Sequence, residues 1–291
     1  MEYLMTYGWA ILIIAIVLVA LFSLNLFNPY TFAPKASAGS CSILRPNGPG
    51  SNLFVSAVGP ACTINEIPEY VAKFNGQTSY VSLGNNMVLS PEAGTEGKMT
   101  MCVWFMPLSL TNWHGFVLKG ISSPSNGDAW EYIIGQGTTN IYTIFNAGGA
   151  NIAWYNPSLP DANSWQFTCF TYDYPASNSF VYMDGNQYTA SFTTGGGAAS
   201  QGTGALILGA GENGYSNVDL ANFQLYNTSL SPTAVNTLYN EGIGGAPVDI
   251  QNLVGWWPLN GNANDYSGNN NNGVPTNVIF TSSWTSGYST P

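Results

Sequence analysis

The sequence predicts an α+β chain, a long apolar N-terminal helix followed by an antiparallel β-sandwich. Three observations carry this expectation. No charge stands between Glu2 and Lys35, and Trp9–Leu21 is wholly apolar. Beyond about residue 66 the chain breaks into short β-branched and aromatic runs separated by Gly, Pro, Asn and Ser turns, the spacing of a sandwich or jelly roll. Aromatics make up 14% of the residues and charged groups only 7%, so the chain is rich in core material and unlike a disordered one.

As a helix, the segment Tyr3–Phe27 would be roughly 37 Å long at 1.5 Å per residue, enough to cross a bilayer. Pro29 and Pro34 stop it. A signal peptide would need a basic start and a small-residue cleavage site, and neither is present. An ordinary transmembrane anchor usually carries Lys or Arg flanks, and the nearest is distant Lys35. Glu2 at the helix head is favoured by the helix dipole; in a dry core it would need a cationic partner. The alternative is an exposed helix-start glutamate.

Residues 29–65 read as a Pro/Ala/Ser linker and then a neck, with a turn at Pro46–Gly50 between two short apolar runs. That pattern predicts a hairpin closed by Cys41 and Cys62. The chain has four cysteines, no C-x-x-C pair and one histidine, which argues against a zinc cluster. Two disulfides are expected in an extracellular setting, the alternative being four buried thiols.

The remainder, residues 66–291, is the head. Its candidate strands are Tyr70–Phe74, Tyr80–Leu83, Met99–Leu108, Gly115–Lys119, Trp130–Ile134, Ile141–Phe145, Ile152–Trp154, Trp165–Asp173, Ser179–Met183, Ala205–Gly209 and Val218–Tyr226. Asp184-Gly185 marks a tight hairpin. One short helix is expected after Ser231, with Pro232 in its first turn, Ala234, Val235, Leu238 and Tyr239 on its apolar face, and Gly242 at its end.

Charge and chemistry exclude several functions. All five Lys and Arg residues precede residue 120, and ten carboxylates follow it, so nothing there can neutralise nucleic-acid phosphates. A surface of Asn, Ser, Thr and Gly in place of ions would also tolerate acid. The chain is expected not to be an enzyme. It lacks the alternating carboxylates of a sandwich hydrolase; Asp128 and Glu131 read as turn and surface residues, and His114 has no triad partners. Exposed Trp113, Trp130, Tyr155 or Tyr215 could stack on sugar rings, though core packing explains aromatics equally well. Asn227-Thr228-Ser229 is the single glycosylation sequon.

Two resemblances sharpen this reading. Glu2-Tyr3-Leu4-Met5-Thr6-Tyr7-Gly8-Trp9-Ala10 resembles the opening of archaeal type IV pilin-like proteins. The likeness implies a helix held first in the membrane and then in the core of a homopolymeric filament, lined here by Glu2, Tyr3, Trp9, Ile11, Ile14, Leu18 and Leu21. The peptidase motif that precedes this stretch in the family is absent here, and the glutamate falls second.

The head resembles laminin-G or concanavalin-A-like domains. Phe74-Asn75-Gly76, Thr100–Phe105, Ser164–Asp173, Val181–Gly185, Leu206–Gly209 and Leu220–Leu230 follow the family's order. The resemblance implies a cross-strand bridge between Cys102 and Cys169, and calcium or sugars as ligands. No cofactor is expected otherwise. Oxygen ligands are plentiful in Asn260–Asn272, with Asp265 its carboxylate; a second would come from Asp219 or Asp184. The alternative is a hydrated Asn/Gly turn. The segment Leu253–Gly273 looks like the family's first strand and loop, yet stands last, as in a circular permutation. Val254, Trp256 and Trp257 would then fill a vacant sheet position, in their own head or in a neighbour's.

The expected function is a structural subunit of an extracellular pilus-like filament, membrane-inserted before assembly, with its head exposed for adhesion or contact with a glycan or other cell-surface ligand. The competing readings are a membrane-anchored monomeric lectin and a degraded glycoside hydrolase.

Overall fold

The computed structural model describes residues 67–109, 115–120, 162–174, 176, 178–189, 198, 199, 201–211 and 214–291, with Ile13 and the backbone of 40–46, 52–58, 114, 130–134, 141–146, 150–155 and 192–193. Ile13 is helical. The remainder of Tyr3–Phe27, with the filament-core residues assigned to it, lies outside the described residues, as do Glu2, Cys62 and the side chain of Cys41. Among the described residues no helix is long and apolar enough to cross a membrane. The chain divides into two units, Met1–Ser42 with Ser56–Cys62, and Ile43–Val55 with Thr63–Pro291.

Strands β1 (Ser40–Pro46) and β2 (Asn52–Val58) pair as a two-stranded sheet. The head then runs through β3 (Val71–Lys73), β4 (Tyr80–Ser82), β5 (Lys98–Pro107), β6 (His114–Lys119), β7 (Trp130–Ile134), β8 (Ile141–Asn146) and β9 (Ala150–Tyr155). It continues with β10 (Gln166–Asp173), β11 (Asn178–Met183), β12 (Asn186–Thr189), β13 (Phe192–Thr193), β14 (Leu206–Leu208), β15 (Ala210–Gly211), β16 (Gly214–Tyr215) and β17 (Val218–Tyr226). Helix α1 (Pro232–Asn240) and strands β18 (Leu253–Trp257), β19 (Val274–Thr276) and β20 (Ile279–Thr281) complete it.

Two antiparallel sheets form the sandwich. The first orders its strands β12-β11-β10-β5-β17-β3-β20, with β18 also on β17; the second runs β13-β9-β8-β7-β6-β14-β4-β19. Between them lies a core that includes Phe74, Phe105, Phe116, Leu208, Phe223 and Trp257. The outer face of the first sheet is covered too. Trp104, Phe167, Tyr182, Tyr226 and Trp256 pack there with Val235 and Leu238 of α1 and with Trp284. This double burial explains why all nine residues of β17 are buried, where a half-exposed strand would alternate. The Cys102–Cys169 disulfide lies on this covered face and joins directly opposed residues of β5 and β10, with Cα atoms 4.1 Å apart.

Local signals set the helix and the tight hairpin. Ser231 Oγ accepts from Ala234 N at 3.2 Å, Pro232 opens α1, and Gly242 follows it at φ 77°. Asp184 and Gly185 turn β11 into β12 with φ of 47° and 76°, the doubly left-handed pair that a two-residue hairpin requires.

Strands β3 and β18 share one edge of β17. Asp219 and Leu220 pair with β3, and Phe223 to Tyr226 pair with β18. The C-terminal strand therefore occupies a position in its own sheet, end to end with the first strand of the head. Leu253–Leu259 does not alternate strictly, as a regular strand would. Val254, Trp257 and Leu259 enter the inter-sheet core, while Leu253 and Trp256 face the outer layer. A register shift at Leu225/Tyr226 leaves Val254 without a partner residue, and an extra residue in a bulge resets which side each following residue faces.

Candidate functional site

Tyr80 on β4 and Tyr215 on β16 form an aromatic pair on the head's surface. Their ring centroids are 6.1 Å apart with 27° between planes. Tyr215 is 42% exposed and Tyr80 is half-buried. Alternation explains the geometry: Val81 goes inward to the core, so its neighbour Tyr80 points out.

Polar residues flank Tyr80 in the chain and on the neighbouring strand. Asn75 Oδ1 accepts from the backbone N–H groups of Gln77, Thr78 and Ser79 at 2.9, 2.9 and 3.2 Å, which fixes a tight turn and leaves the Gln77 and Thr78 side chains exposed. Gly76 turns at φ 70° against Asn217, whose Cβ would lie 2.9 Å from a Cβ placed on Gly76. Thr276 pairs with Tyr80, and the Asn277 amide donates to Thr78 O. Among the described residues, the pair therefore has neutral amides and hydroxyls near it in the turn and strands that carry Tyr80. Such an arrangement can hold a sugar ring by its apolar face and by its hydroxyls.

Sequence reasoning named Tyr215 but missed Tyr80, Gln77 and Thr78. The Ser79-Tyr80-Val81 alternation was the available signal. Trp113 lies outside the described residues, as do the side chains of Trp130 on β7 and Tyr155 on β9. So do Asp128 and the side chains of His114 and Glu131.

The three carboxylates named for a cation do not converge. Asp265 is fully buried, and its oxygens accept from Trp256 N, Ser267 N and Asn271 N at 3.0, 2.9 and 2.9 Å. Tyr266 N also donates to Trp256 O at 2.7 Å. Asp265 thus closes the free edge of β18, which would otherwise expose ladder groups. Asp184 Oδ1 accepts from Phe167 N at 2.9 Å in the β11–β12 turn. Four strand spacings separate β11 from β18, about 19 Å. Burial raises the Asp184 pKa, against the bond from Phe167 N. Asp219 is buried opposite Lys73; burial pushes its pKa up to about 6, against the pull of Lys73. Among the described residues no group of three or more His, Cys, Asp or Glu side chains is placed to hold a metal ion. Calcium takes six to eight oxygens, usually with more than one carboxylate, and this trio does not fit that need.

Comparison with known proteins settles the family. Residues 75–236 match the Laminin_G_3 model, described as the concanavalin A-like lectin/glucanases superfamily. The chain belongs to this concanavalin A-like superfamily. No curated protein matches it in sequence. A heptameric SAP-like pentraxin from Limulus polyphemus shares the fold at a TM-score of 0.50 and 13% identity, over 74% of this chain and 95% of the pentraxin. A putative carbohydrate binding protein from Bacteroides ovatus aligns at a TM-score of 0.53 and 12% identity, over 79% of this chain and 63% of its own length. The antiparallel sandwich expected from the sequence is therefore that of concanavalin A-like proteins. Both of these structural neighbours are named for roles other than catalysis.

Proposed function

We propose that this head is a carbohydrate-recognition module that binds uncharged glycans at the Tyr80–Tyr215 pair. The observation that carries the reading is a stacked tyrosine pair, with Tyr215 exposed, on a lectin-type sandwich. The Bacteroides ovatus neighbour, described as a putative carbohydrate binding protein, supports the class of ligand. The net charge of −10 disfavours anionic sugars. We further propose that the N-terminal segment displays this head on a filament of many copies, as its likeness to pilin openings suggests.

Neutral oligosaccharides immobilised on an array, followed by titration of each hit, test the binding role. Tyr215→Ala and Tyr80→Ala are expected to weaken binding at least tenfold, with Tyr215→Trp retaining it. Hits whose affinity is unchanged in both alanine variants would overturn the site. Electron microscopy of surface material tests the filament: a chain beginning at Lys35 should fold and should give no filaments.

A further inference from the structure

We propose that Asn227 carries an N-linked glycan. The chain holds one Asn-x-Ser/Thr sequon, Asn227-Thr228-Ser229, and the fold places it where a transferase can reach it. β17 ends at Tyr226, and the chain bends onto the surface with Asn227 exposed and Ser229 half-exposed. This chain uses its asparagine amides heavily: those of Asn222, Asn269 and Asn271 all bond to backbone carbonyls. The Asn227 amide makes no hydrogen bond among the described residues, so attaching a sugar breaks nothing.

The backbone around it is nonetheless held. Asn227 N donates to Asn252 O at 2.9 Å. Thr100 Oγ1 donates to Thr228 O at 2.7 Å and accepts from Leu230 N at 2.8 Å. The acceptor is presented on a fixed bend. Ile250, 58% exposed, lies two residues from Asn252, so a glycan on Asn227 shields an apolar side chain that the protein alone leaves in water. With so few ions on the surface, attached sugar also supplies hydration.

The donor is a lipid-linked oligosaccharide. Asn227 Nδ2 forms the new bond to C1 of the first sugar and gives up one proton. The C1–O bond to the lipid phosphate breaks, and the phosphate leaves with the electron pair. No oxidant or reductant is needed.

The site is independent of the tyrosine pair. Asn217, two residues after Tyr215, and Asn227 stand at opposite ends of β17, about 30 Å apart at the rise of a strand. The test is peptide mass mapping of the protein isolated from its own cells, beside Asn227→Gln, Ser229→Ala and Ser229→Thr variants made in the same cells. The expected result is a hexose or N-acetylhexosamine mass on the peptide containing Asn227, lost in the first two variants and retained in the third. Unchanged melting of Asn227→Gln shows that its loss reflects the acceptor and not misfolding. An unmodified peptide, or a glycan that survives Ser229→Ala, would overturn the proposal, whatever the glycan array returns.

Discussion

Trp256 donates its indole N–H to Asn222 Oδ1 at 2.7 Å, and the Asn222 amide donates onward to Gly245 O at 2.7 Å. One side chain on β17 thereby ties down both β18 and the loop that returns to it. Asn222 stands at a bulge where Ala221 opposes Trp104 and Gln224 opposes Cys102, with φ 53°. Asn tolerates that left-handed conformation better than most residues. Gln224 joins the network through Asn222 Oδ1, and Tyr226 donates to Gln224. Asn222→Ala should leave the buried Trp256 indole N–H unpaired and force Ala to positive φ, a loss of about 3 kcal/mol. Asn222→Gly keeps the backbone but loses the bonds, and should fall between. Urea unfolding of the three proteins measures this, and an alanine variant within about 0.5 kcal/mol of the parent would refute it.

The Cys102–Cys169 bridge spans 67 residues. Chain-entropy arguments give about 4 kcal/mol for a loop of this length. The Cys102→Ala/Cys169→Ala protein should unfold at lower denaturant by that order, and reducing agent should lower the parent's midpoint in the same way. A parent indifferent to reduction under partly unfolding conditions would contradict it.

Acid should stabilise this head. Burial raises the pKa of Asp219 from 3.8 to about 6, against Lys73, and that of Glu241 from 4.5 to about 7, against a bond from Ala246 N. Between these limits the folded head holds protons that the unfolded chain has released. Stability is then full below about pH 4 and falls as pH rises through the folded-state values. For Asp219 the loss is on the order of 2–3 kcal/mol. Melting temperature should drop between pH 4.5 and pH 8, and Asp219→Asn with Glu241→Gln should flatten the profile. A parent that melts higher at pH 8 than at pH 4.5 would reverse the sign and defeat the assignment.

Ending the chain after Gly245 removes β18, β19 and β20. Trp257, Val254 and Leu259 leave the inter-sheet core, and β17, β4 and β3 each lose a paired neighbour. The shortened head should expose apolar surface and aggregate, read by dye binding and size-exclusion chromatography. A soluble monomer with the parent's melting temperature would show the C-terminal strands to be dispensable.

The parts of the fold legible in sequence were those with local causes. Trp130–Ile134 and Val218–Tyr226 are rich in aromatic and branched residues, and both are strands over those bounds. The Ser231-Pro232 start of α1 and the Asp184-Gly185 turn also carry their own signals. What escaped depends on distant partners. The bulge at Val254 arises because Gly255 pairs with Leu225 and Leu253 with Tyr226, which leaves Val254 between them. β19 and β20 are short, exposed and broken by Pro275, and are strands because β4 and β3 offer them edges. Asp265 had the composition of a metal ligand, but its place beside β18 made it a backbone acceptor. Tyr215 was one of several candidate aromatics until the turn held by Asn75 set Tyr80 beside it.

The shared edge of β17 also sets a timetable for biosynthesis. β3 leaves the ribosome first but has no β17 to pair with until residues 218–226 follow; once β17 is out, half of its edge is taken by β3 and the other half waits for Leu253–Trp257, a few seconds more at about 5–20 residues per second. Until then the nascent head has a half-paired central strand and no seat for Trp257. A chain stalled or cleaved before this point carries its own mark of incompleteness, an open sheet edge that chaperones and proteases can read.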